Sequence, residues 1–431
     1  MKIFKFSLKT IILSIIGLFI LYLTGTLFFF NASPEPLRVT TPIAYSYSVK
    51  EPAFKTNSGI FTGRRWVEGN DAIILDRGED IFNTMYEDIG NARTSISKET
   101  FVYSGEDVAT TMAHELADAS ERGVNVHFIM DYLGSSDATT NQLNIMEDAG
   151  VQLVRWRKPA WYQMSKLNHR THRKLLIVDG EVAYTGGANT ADEWLYDIQE
   201  GGYKDYHLRI TGPVVHEFQG AFSRNWIASR GKLLRGDNYY PHLEATGNLP
   251  MQVTTSHPAD GAKQVRKMLL HAIASADESI RIGSAYFFPD HKFLQALVDA
   301  ANRGVHIKIL TPNENIDQKF VRNASQTLWG NLLEAGIEMY EYQPVMYHAK
   351  LMIVDEYFVT MGSTNFDNRS FRLNDEANVS ILDEDFARQM TERYEDDLAH
   401  SERITKEEWE NRSFFRKAYG WVIAKVIGVY L

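Results

Sequence analysis

Hydrophobic and polar residues follow the same order of patterns twice along this chain. In each half, a short apolar stretch is followed by a loop, an amphipathic stretch of helical period, an Arg-Gly turn and a second apolar stretch. The turn segments SERGVNVHFIMD (120–131) and ANRGVHIKILTP (301–312) match position by position. Short apolar strands alternating with helices predict an α/β fold, with a mostly parallel sheet covered by helices on both faces.

A second shared pattern follows in each half and marks the chain as internally duplicated. HRKLLIVDGEVAYTGGAN (172–189) is nearly repeated as HAKLMIVDEYFVTMGSTN (348–365). A repeat of this length is too long for a solenoid unit, so we expect two α-β-α domains related by a pseudo-twofold axis. Turn-forming residues cluster at 233–250, and we place the domains at 39–240 and 241–405.

The N-terminal segment 1–38 reads as a membrane anchor with a linker. Residues Ile11 to Phe30 form an uncharged run. As a helix, this run is long enough to cross about 30 Å of hydrocarbon. Lys2, Lys5 and Lys9 precede this run, and only Arg38 is basic soon after it. This asymmetry predicts a cytoplasmic N-terminus and an extracytoplasmic body. A cleaved signal peptide is the alternative.

The C-terminal segment 406–431 is apolar with interspersed basic residues. Its last part, FFRKAYGWVIAKVIGVYL, is too short and too charged to span a bilayer. It is typical of a helix that lies in the plane of a membrane interface. The alternative is a helix that packs against the two domains.

Composition excludes several classes of function. The formal net charge of −10 argues against a nucleic-acid partner, because such proteins usually present a basic surface. The chain has no cysteine, which removes disulfides, thiolate nucleophiles and cysteine zinc sites. It also lacks the glycine-rich motifs of nucleotide binding, so no nucleotide cofactor is expected. The sequence leaves the oligomeric state open.

The duplicated polar residues suit phosphodiester chemistry. His172 and His348 can serve as nucleophile or general acid. The lysine two residues after each histidine is a phosphate-binding charge, and the asparagine that ends each motif donates hydrogen bonds. A histidine in this role needs an acceptor on its other ring nitrogen. Each half offers one, since Asp205 and Glu376 follow the histidines by 33 and 28 residues. Two half-sites would then form one site without a metal ion or cofactor.

The paired HxKxxxxD strings resemble the two signature motifs of the phospholipase D superfamily. Within it, GSTNFDNRSFRLNDEANVSILD (362–383) is similar to the bacterial cardiolipin synthases. The resemblance implies that His172 attacks phosphorus and forms a phosphohistidine, while His348 protonates the departing alcohol and later deprotonates the acceptor. It implies that Asp179 and Asp355 brace the fold. The residues that it places around the phosphate are Lys174, Lys350, Asn189, Asn365, Gly187 and Ser363.

The resemblance therefore implies a phosphatidyltransferase of a bacterial inner membrane that makes cardiolipin from phosphatidylglycerol. A phospholipase D that hydrolyses or exchanges headgroups is the near alternative, because the acceptor decides the product. A phosphodiesterase nuclease and a catalytically silent membrane scaffold are the distant ones. The segment RWRKPAWYQMSKLNHR (155–170) occurs only in the first half. With Trp156 and Trp161 among its basic residues, it reads as a lipid-facing loop, the alternative being a solvated loop.

Overall fold

A computed structural model describes residues 7–32, 43–159, 168–196, 198–258 and 263–428 of the chain. The described part contains fourteen α-helices: α1 Leu8–Ala32, α2 Pro52–Thr62, α3 Gly78–Asn91, α4 Asp107–Glu121, α5 Thr140–Asp148, α6 Val215–Arg230, α7 Gln264–Ala274, α8 His291–Asn302, α9 Lys319–Ser325, α10 Trp329–Glu334, α11 Asn368–Arg372, α12 Glu384–Ala399, α13 Lys406–Glu410 and α14 Phe414–Ile427.

The strands of the described residues are β1 Val67–Leu75, β2 Ser95–Thr100, β3 Asn125–Asp131, β4 Gln152–Trp156, β5 Arg170–Thr171, β6 Leu175–Val178, β7 Val182–Gly186, β8 His207–Thr211, β9 Leu249–Ser256, β10 Ser279–Ser284, β11 Phe287–Phe288, β12 His306–Pro312, β13 Glu338–Tyr342, β14 Lys350–Val354, β15 Phe358–Gly362, β16 Phe366–Asp367, β17 Asn374–Leu382 and β18 Ser401–Ile404.

One continuous sheet joins the two halves. Its order is β18-β13-β12-β10-β14-β15-β17-β9-β1-β8-β7-β6-β2-β3-β4. Reading outward from the central β9–β1 pair, each strand of one half has its counterpart in the other, apart from the additional β18. This mirrored order confirms the duplicated α/β fold with a pseudo-twofold relation between the halves.

The prediction of a mostly parallel sheet is wrong. Within this strand order, β2-β3-β4 and β10-β12-β13 are parallel, and the strands between these two groups pair antiparallel. Outside the order, the short pairs β5–β17 and β11–β16 are also parallel. The reason is that the His-x-Lys strand of each half turns back through a tight hairpin. Asp179 and Gly180 form one turn with φ of 54° and 67°, and Asp355 and Glu356 form the other with φ of 51° and 49°. Consecutive left-handed residues match the twist of paired antiparallel strands.

Alternate residues of each strand pack into hydrophobic cores on opposite faces of the sheet. In β6, Leu175 and Ile177 join a core that includes α6 and α12, whereas Leu176 and Val178 join a core with α3 and α4. The corresponding strand β14 divides its residues in the same way, with α7 and α8 on its second face. Helices therefore cover both faces, as the period-two burial of such strands requires.

Helix α2 precedes the first half in sequence but packs on the second. Phe54 of α2 is fully buried and stacks on His271 of α7, with ring centroids 4.6 Å apart. The hydroxyl of Tyr47, just before α2, lies 2.9 Å from Nε2 of the same histidine. By its contacts, this part of the segment 39–240 belongs with the second half of the sheet.

The two terminal helices differ in how they meet the body. Within α1, Leu8–Gly25 is long and apolar enough to span a membrane, and this stretch is not buried by the described protein. Helix α14 packs on α9, where Gly420 allows close approach, since a Cβ there would lie 2.5 Å from the carbonyl oxygen of Asn323. Its other face is exposed, with Phe414 and Phe415 at 77% and 82% accessibility. The alternative that this helix packs against the two domains thus holds for one face of α14 only.

Candidate active site

The backbone crosses between the halves immediately before each motif histidine. Strand β5 pairs with β17 of the second half, and the His172 N–H donates to the Asp375 carbonyl at 2.9 Å. In the same way, Lys204 of the first half pairs with Tyr347, and the His348 N–H donates to the Lys204 carbonyl at 2.7 Å. These crossings bring the two histidines to one boundary between the halves, where both are buried.

Each histidine is held by the acid of the opposite half. His172 Nδ1 lies 3.0 and 3.1 Å from the two Glu376 oxygens, and His348 Nδ1 lies 2.6 Å from Asp205 Oδ2. Counting along the sequence would pair each acid with the histidine of its own half, and the structure exchanges the partners. The exchange leaves Nε2 of each ring as the nitrogen that can meet a substrate.

The difference between Gly187 and Ser363 follows from the length of the acid beside each. A Cβ at Gly187 would lie 2.2 Å from Asp205 Oδ1, so only glycine fits there. In the second half, the Ser363 hydroxyl donates to Glu376 Oε2 at 2.5 Å. The shorter aspartate therefore goes with glycine, and the longer glutamate is fixed by a serine hydroxyl.

Both acids are ionised despite complete burial. Burial opposes ionisation of Glu376, but His172 and Lys174 outweigh it and lower the pKa of this carboxyl. Burial likewise opposes ionisation of Asp205, and His348 and Lys350 lower its pKa. Trp194 supports this second acid by donating from Nε1 to Asp205 Oδ2 at 2.9 Å. The site therefore presents two fixed negative charges behind the rings.

The two motif lysines are buried cations beside the histidines. Lys174 Nζ donates to the His172 carbonyl at 2.7 Å, and Lys350 Nζ lies 3.1 Å from His348 Nε2. Burial lowers the pKa of Lys350 to about 8 and that of Lys174 well below its usual range. The charge of Lys350 also lowers the pKa of Lys174, which places the two lysines in one centre. An anion bound between them would restore the charged form of both.

The lowered pKa values of both histidines make them neutral rings at pH 7. Burial, aided by Lys174 and Lys350 and opposed by Glu376, lowers the pKa of His172 to about 4. Burial and the adjacent Lys350 lower the pKa of His348 to about 3, against the pull of Asp205. A neutral imidazole has a free lone pair on Nε2 and can act as a nucleophile.

The two motif asparagines lie three residues after strands β7 and β15 and are buried. Asn189 Oδ1 accepts from the Val102 N–H at 3.0 Å, which turns its amide nitrogen away from that loop. The Asn365 N–H donates to Ser370 Oγ at 3.2 Å, and its side-chain oxygen has no partner among the described atoms. Each asparagine thus keeps hydrogen-bonding capacity for a bound group.

The motif aspartates lie at the other end of the motif strands. Asp179 accepts from the backbone N–H groups of Arg93, Thr94 and Ser95 at 2.7–3.1 Å. Asp355 accepts from those of 277–279 at 2.7–2.8 Å. Each carboxylate therefore ties its hairpin turn to the start of the neighbouring strand and has no contact with the histidines.

Aromatic rings enclose both histidines and were missed by sequence reasoning. Phe101 contacts His172 edge-on at 5.2 Å between ring centroids, Trp194 contacts His348 edge-on at 4.9 Å, and Tyr203 stacks on it at 5.9 Å. The second motif has no copy of these residues at matching positions, so duplication could not reveal them. Among the predicted lipid-facing tryptophans, Trp156 is half-buried beside Asp375, and Trp161 lies outside the described residues.

Comparison with known proteins agrees with this geometry. The family described as "Cardiolipin synthase, PLD-like domain" matches residues 85–226 and 269–398, one segment in each half. The chain belongs to this family. As a member it is an enzyme, a phosphatidyltransferase of the phospholipase D type. Its duplicated domain is the repeat that the two motifs predict.

Curated relatives extend the match over most of the chain. Cardiolipin synthase 2 of Staphylococcus epidermidis is 32% identical over 352 residues, which are 81% of this chain and 72% of that protein. Cardiolipin synthase of Oceanobacillus iheyensis is 32% identical over 378 residues, 86% of this chain and 78% of that protein. Phosphatidylserine synthase of Haemophilus influenzae shares the fold with a TM-score of 0.66 at 13% identity, covering 88% of this chain and 99% of that one.

Proposed function

We propose that this enzyme makes cardiolipin by transferring a phosphatidyl group from one phosphatidylglycerol to another, with release of glycerol. The observation that carries the proposal is the convergence of two His/Lys sets on one buried centre, with each ring held by the acid of the other half. The curated relatives are cardiolipin synthases by name. This favours a lipid over the nucleic acid of a nuclease, and complete His/Lys/Asn sets argue against a silent scaffold.

In the first half-reaction, Nε2 of His172 attacks phosphorus and a P–N bond forms as the P–O bond to glycerol breaks. Glu376 holds the proton on Nδ1, so the attacking ring has the tautomer that it needs. The lowered pKa of His172, about 4, keeps this ring neutral and nucleophilic at pH 7. Lys174 and Lys350 stabilise the charge on the non-bridging oxygens.

His348 gives a proton to the departing glycerol oxygen. Its pKa of about 3 would by itself leave it without that proton at pH 7. A phosphodiester carries one negative charge, and a nearby anion favours the charged form of an imidazole. Binding of the donor lipid would therefore protonate His348, with Asp205 balancing the ring charge from behind. Substrate binding thus supplies His348 with the proton that it needs as a general acid.

In the second half-reaction, a glycerol hydroxyl of another phosphatidylglycerol attacks the phosphohistidine. The new P–O bond forms, the P–N bond to His172 breaks, and the hydroxyl proton passes to His348. The enzyme returns to its starting state with one cardiolipin made and one glycerol released. Water in place of the lipid hydroxyl would give phosphatidic acid instead.

The experiment that tests this function uses purified protein and phosphatidylglycerol alone, with products separated by chromatography. We expect cardiolipin and glycerol in equal amounts. Phosphatidic acid and glycerol without cardiolipin would show a phospholipase D hydrolase and refute the synthase proposal.

We also propose that α1 anchors the enzyme in a bacterial inner membrane with a cytoplasmic N-terminus. Lysines on the N-terminal side of α1 and the scarcity of basic residues after it support this orientation. The exposed face of α14, which carries Phe414, Phe415 and Trp421 together with basic residues, would then lie on the bilayer surface from which the substrate comes.

A further inference from the structure

Two nearly identical half-sites must treat two phosphatidylglycerol molecules differently, one as donor and one as acceptor. The difference has to come from residues outside the duplicated His/Lys/Asn sets. The largest asymmetry near the site lies between the last parallel strand of each half and the motif histidine. Residues 157–171 fill this connection in the first half, and only residues 343–347 fill it in the second.

A cavity of about 590 Å³ opens beside the first-half connection. Its walls are the end of β4, the segment around His169, the end of α6 at Ser229, and His257 after β9. Among its described lining residues none is acidic, while three are Arg or Lys and two are His. Such a cavity provides hydrogen-bond donors and positive charge for an anionic group, with apolar walls beside them.

Two of the basic side chains in the cavity are held by hydrogen bonds within the protein, and one is not paired with a described acid. Arg157, in a left-handed conformation with φ of 64°, donates to Asp375 Oδ1 at 2.9 Å. Arg155 donates to the carbonyls of Tyr132 and Ser135. Lys158 is exposed and makes a cation–π contact with Tyr132, 6.0 Å from the ring centroid, and no described acid pairs with it. Lys158 is therefore the charge most readily offered to a ligand.

One residue connects this cavity to the proposed nucleophile. Asp375 is fully buried, and its carboxylate accepts from Arg157 and lies 3.5 Å from His257 Nε2. Its carbonyl accepts the His172 N–H, and the next residue along the chain is Glu376, which holds the His172 ring. The cavity is thus connected through Asp375 to the backbone and the ring of His172.

The second half has no such basic wall at the equivalent position. Aligning the Ala-Gly steps at 149–150 and 335–336 puts Arg155 opposite Glu341. Glu341 is buried and paired with Arg322, 2.8 Å away. The basic wall that favours an anionic ligand beside the first half-site therefore has no counterpart at this position of the second.

We propose that this cavity binds the phosphate headgroup of the acceptor phospholipid and so makes the phosphohistidine react with a lipid hydroxyl rather than with water. The inference rests on the proposed function and adds to it the place where the acceptor is selected. The cationic rim holds the acceptor phosphate, and the apolar wall of Trp156, Val154 and Ala228 contacts its glycerol backbone. Only the second half-reaction uses this site.

The first test fills the cavity with a large side chain placed on helix α6. Ala228→Trp, at an exposed position on the cavity side of α6, should block the cavity for the acceptor lipid. It should lower the ratio of cardiolipin to phosphatidic acid at least tenfold. Ile227→Trp, one residue earlier and 41% exposed outside the cavity lining, is the matched control and should keep the wild-type ratio. An unchanged ratio in Ala228→Trp would overturn the proposal.

The second test changes charge alone. Lys158→Glu should lower the same ratio severalfold, while Lys232→Glu, an exposed lysine outside the cavity lining, should not. Inorganic phosphate at millimolar concentration should not shift the ratio if a lipid headgroup is the ligand. A shift as large as that in Lys158→Glu would show a site for free phosphate instead, and would contradict an acceptor-lipid site.

A binding measurement separates failure of this inference from failure of the proposed function. With turnover abolished by His172→Ala, we expect two phosphatidylglycerol molecules bound per chain in detergent micelles. Adding Ala228→Trp should reduce this to one. Two bound lipids in both proteins would refute the acceptor site even if cardiolipin is formed. A loss of one lipid would support the cavity as a lipid site even if wild type yields only phosphatidic acid.

Discussion

At the residue scale, the exchanged acids make each histidine depend on the opposite half of the chain. A histidine that loses the acceptor on Nδ1 loses its tautomer and orientation, and comparable losses cost on the order of 10⁴-fold in turnover. We expect Glu376→Gln and Asp205→Asn each to lower the turnover of phosphatidylglycerol by roughly 10²–10⁴-fold.

The exchange itself is tested by double-mutant cycles on the free energy of unfolding. Groups in direct contact couple by about 0.5–3 kcal/mol. His172→Gln should therefore couple more strongly to Glu376→Gln than to Asp205→Asn, and His348→Gln should show the reverse. Stronger coupling within the same half would contradict the pairing described here.

Burial of neutral histidines predicts how the stability of the enzyme depends on pH. His172 and His348 have pKa values of about 4 and about 3 in the folded protein and 6.5 as ordinary histidines. Between these values the unfolded chain binds protons that the folded chain does not, so stability falls as pH is lowered from about 6.5 toward 4.

Denaturant unfolding at pH 7 and pH 5 measures this effect. The His172→Gln/His348→Gln variant should lose less stability between the two pH values than wild type. His242→Gln, at an exposed surface position, is the control and should follow wild type. An equal loss in the double variant would show that other groups cause the acid sensitivity.

The candidate site could be predicted only where the chain repeats itself. His172 and His348, their lysines and their asparagines occur twice in register, so each copy supports the other. Phe101 and Trp194 occur without a counterpart, and a single aromatic residue has no pattern that separates a site from a core. The exchange of the acids depends on contacts between segments that are distant in sequence. The spacing of residues along the chain does not predict such contacts.

At the element scale, the strands of the repeated segments were predictable and their directions were not. Period-two burial in β6 and β14 identifies strands but is the same in parallel and antiparallel sheets. The hairpin turns that make the centre antiparallel use Asp-Gly in one half and Asp-Glu in the other. The second pair is no recognised turn sequence, because non-glycine residues seldom adopt positive φ.

Helix α14 gives a prediction of its own at this scale. Its exposed aromatic side chains would insert at the bilayer interface, while its other face stays packed on α9. Phe415→Ser/Trp421→Ser should lower the rate on phosphatidylglycerol in vesicles severalfold and leave the rate on short-chain, water-soluble phosphatidylglycerol unchanged. Leu233→Ser, an equally exposed apolar position elsewhere, is the control. Equal losses on both substrates would mean that α14 supports the fold and not membrane contact.

At the scale of the whole molecule, the proposed orientation of the body rests on the residues that flank α1. The lysines before this helix predict a cytoplasmic N-terminus, and within the described residues only α1 is long and apolar enough to cross a membrane. Protease added to intact spheroplasts should digest the catalytic body and leave the N-terminal fragment. A body protected until the membrane is broken would mean the reverse orientation.

The central claim is that both halves form one site in which His172 is the nucleophile and His348 the acid. The most direct measurement uses a phosphatidyl donor whose leaving group needs no proton, with rapid quenching and mass spectrometry of the chain. The account predicts that His348→Ala forms one phosphatidyl group per chain, attached to His172, and that His172→Ala forms none. A phosphatidyl group on His348, or a labelled His172→Ala protein, would contradict it.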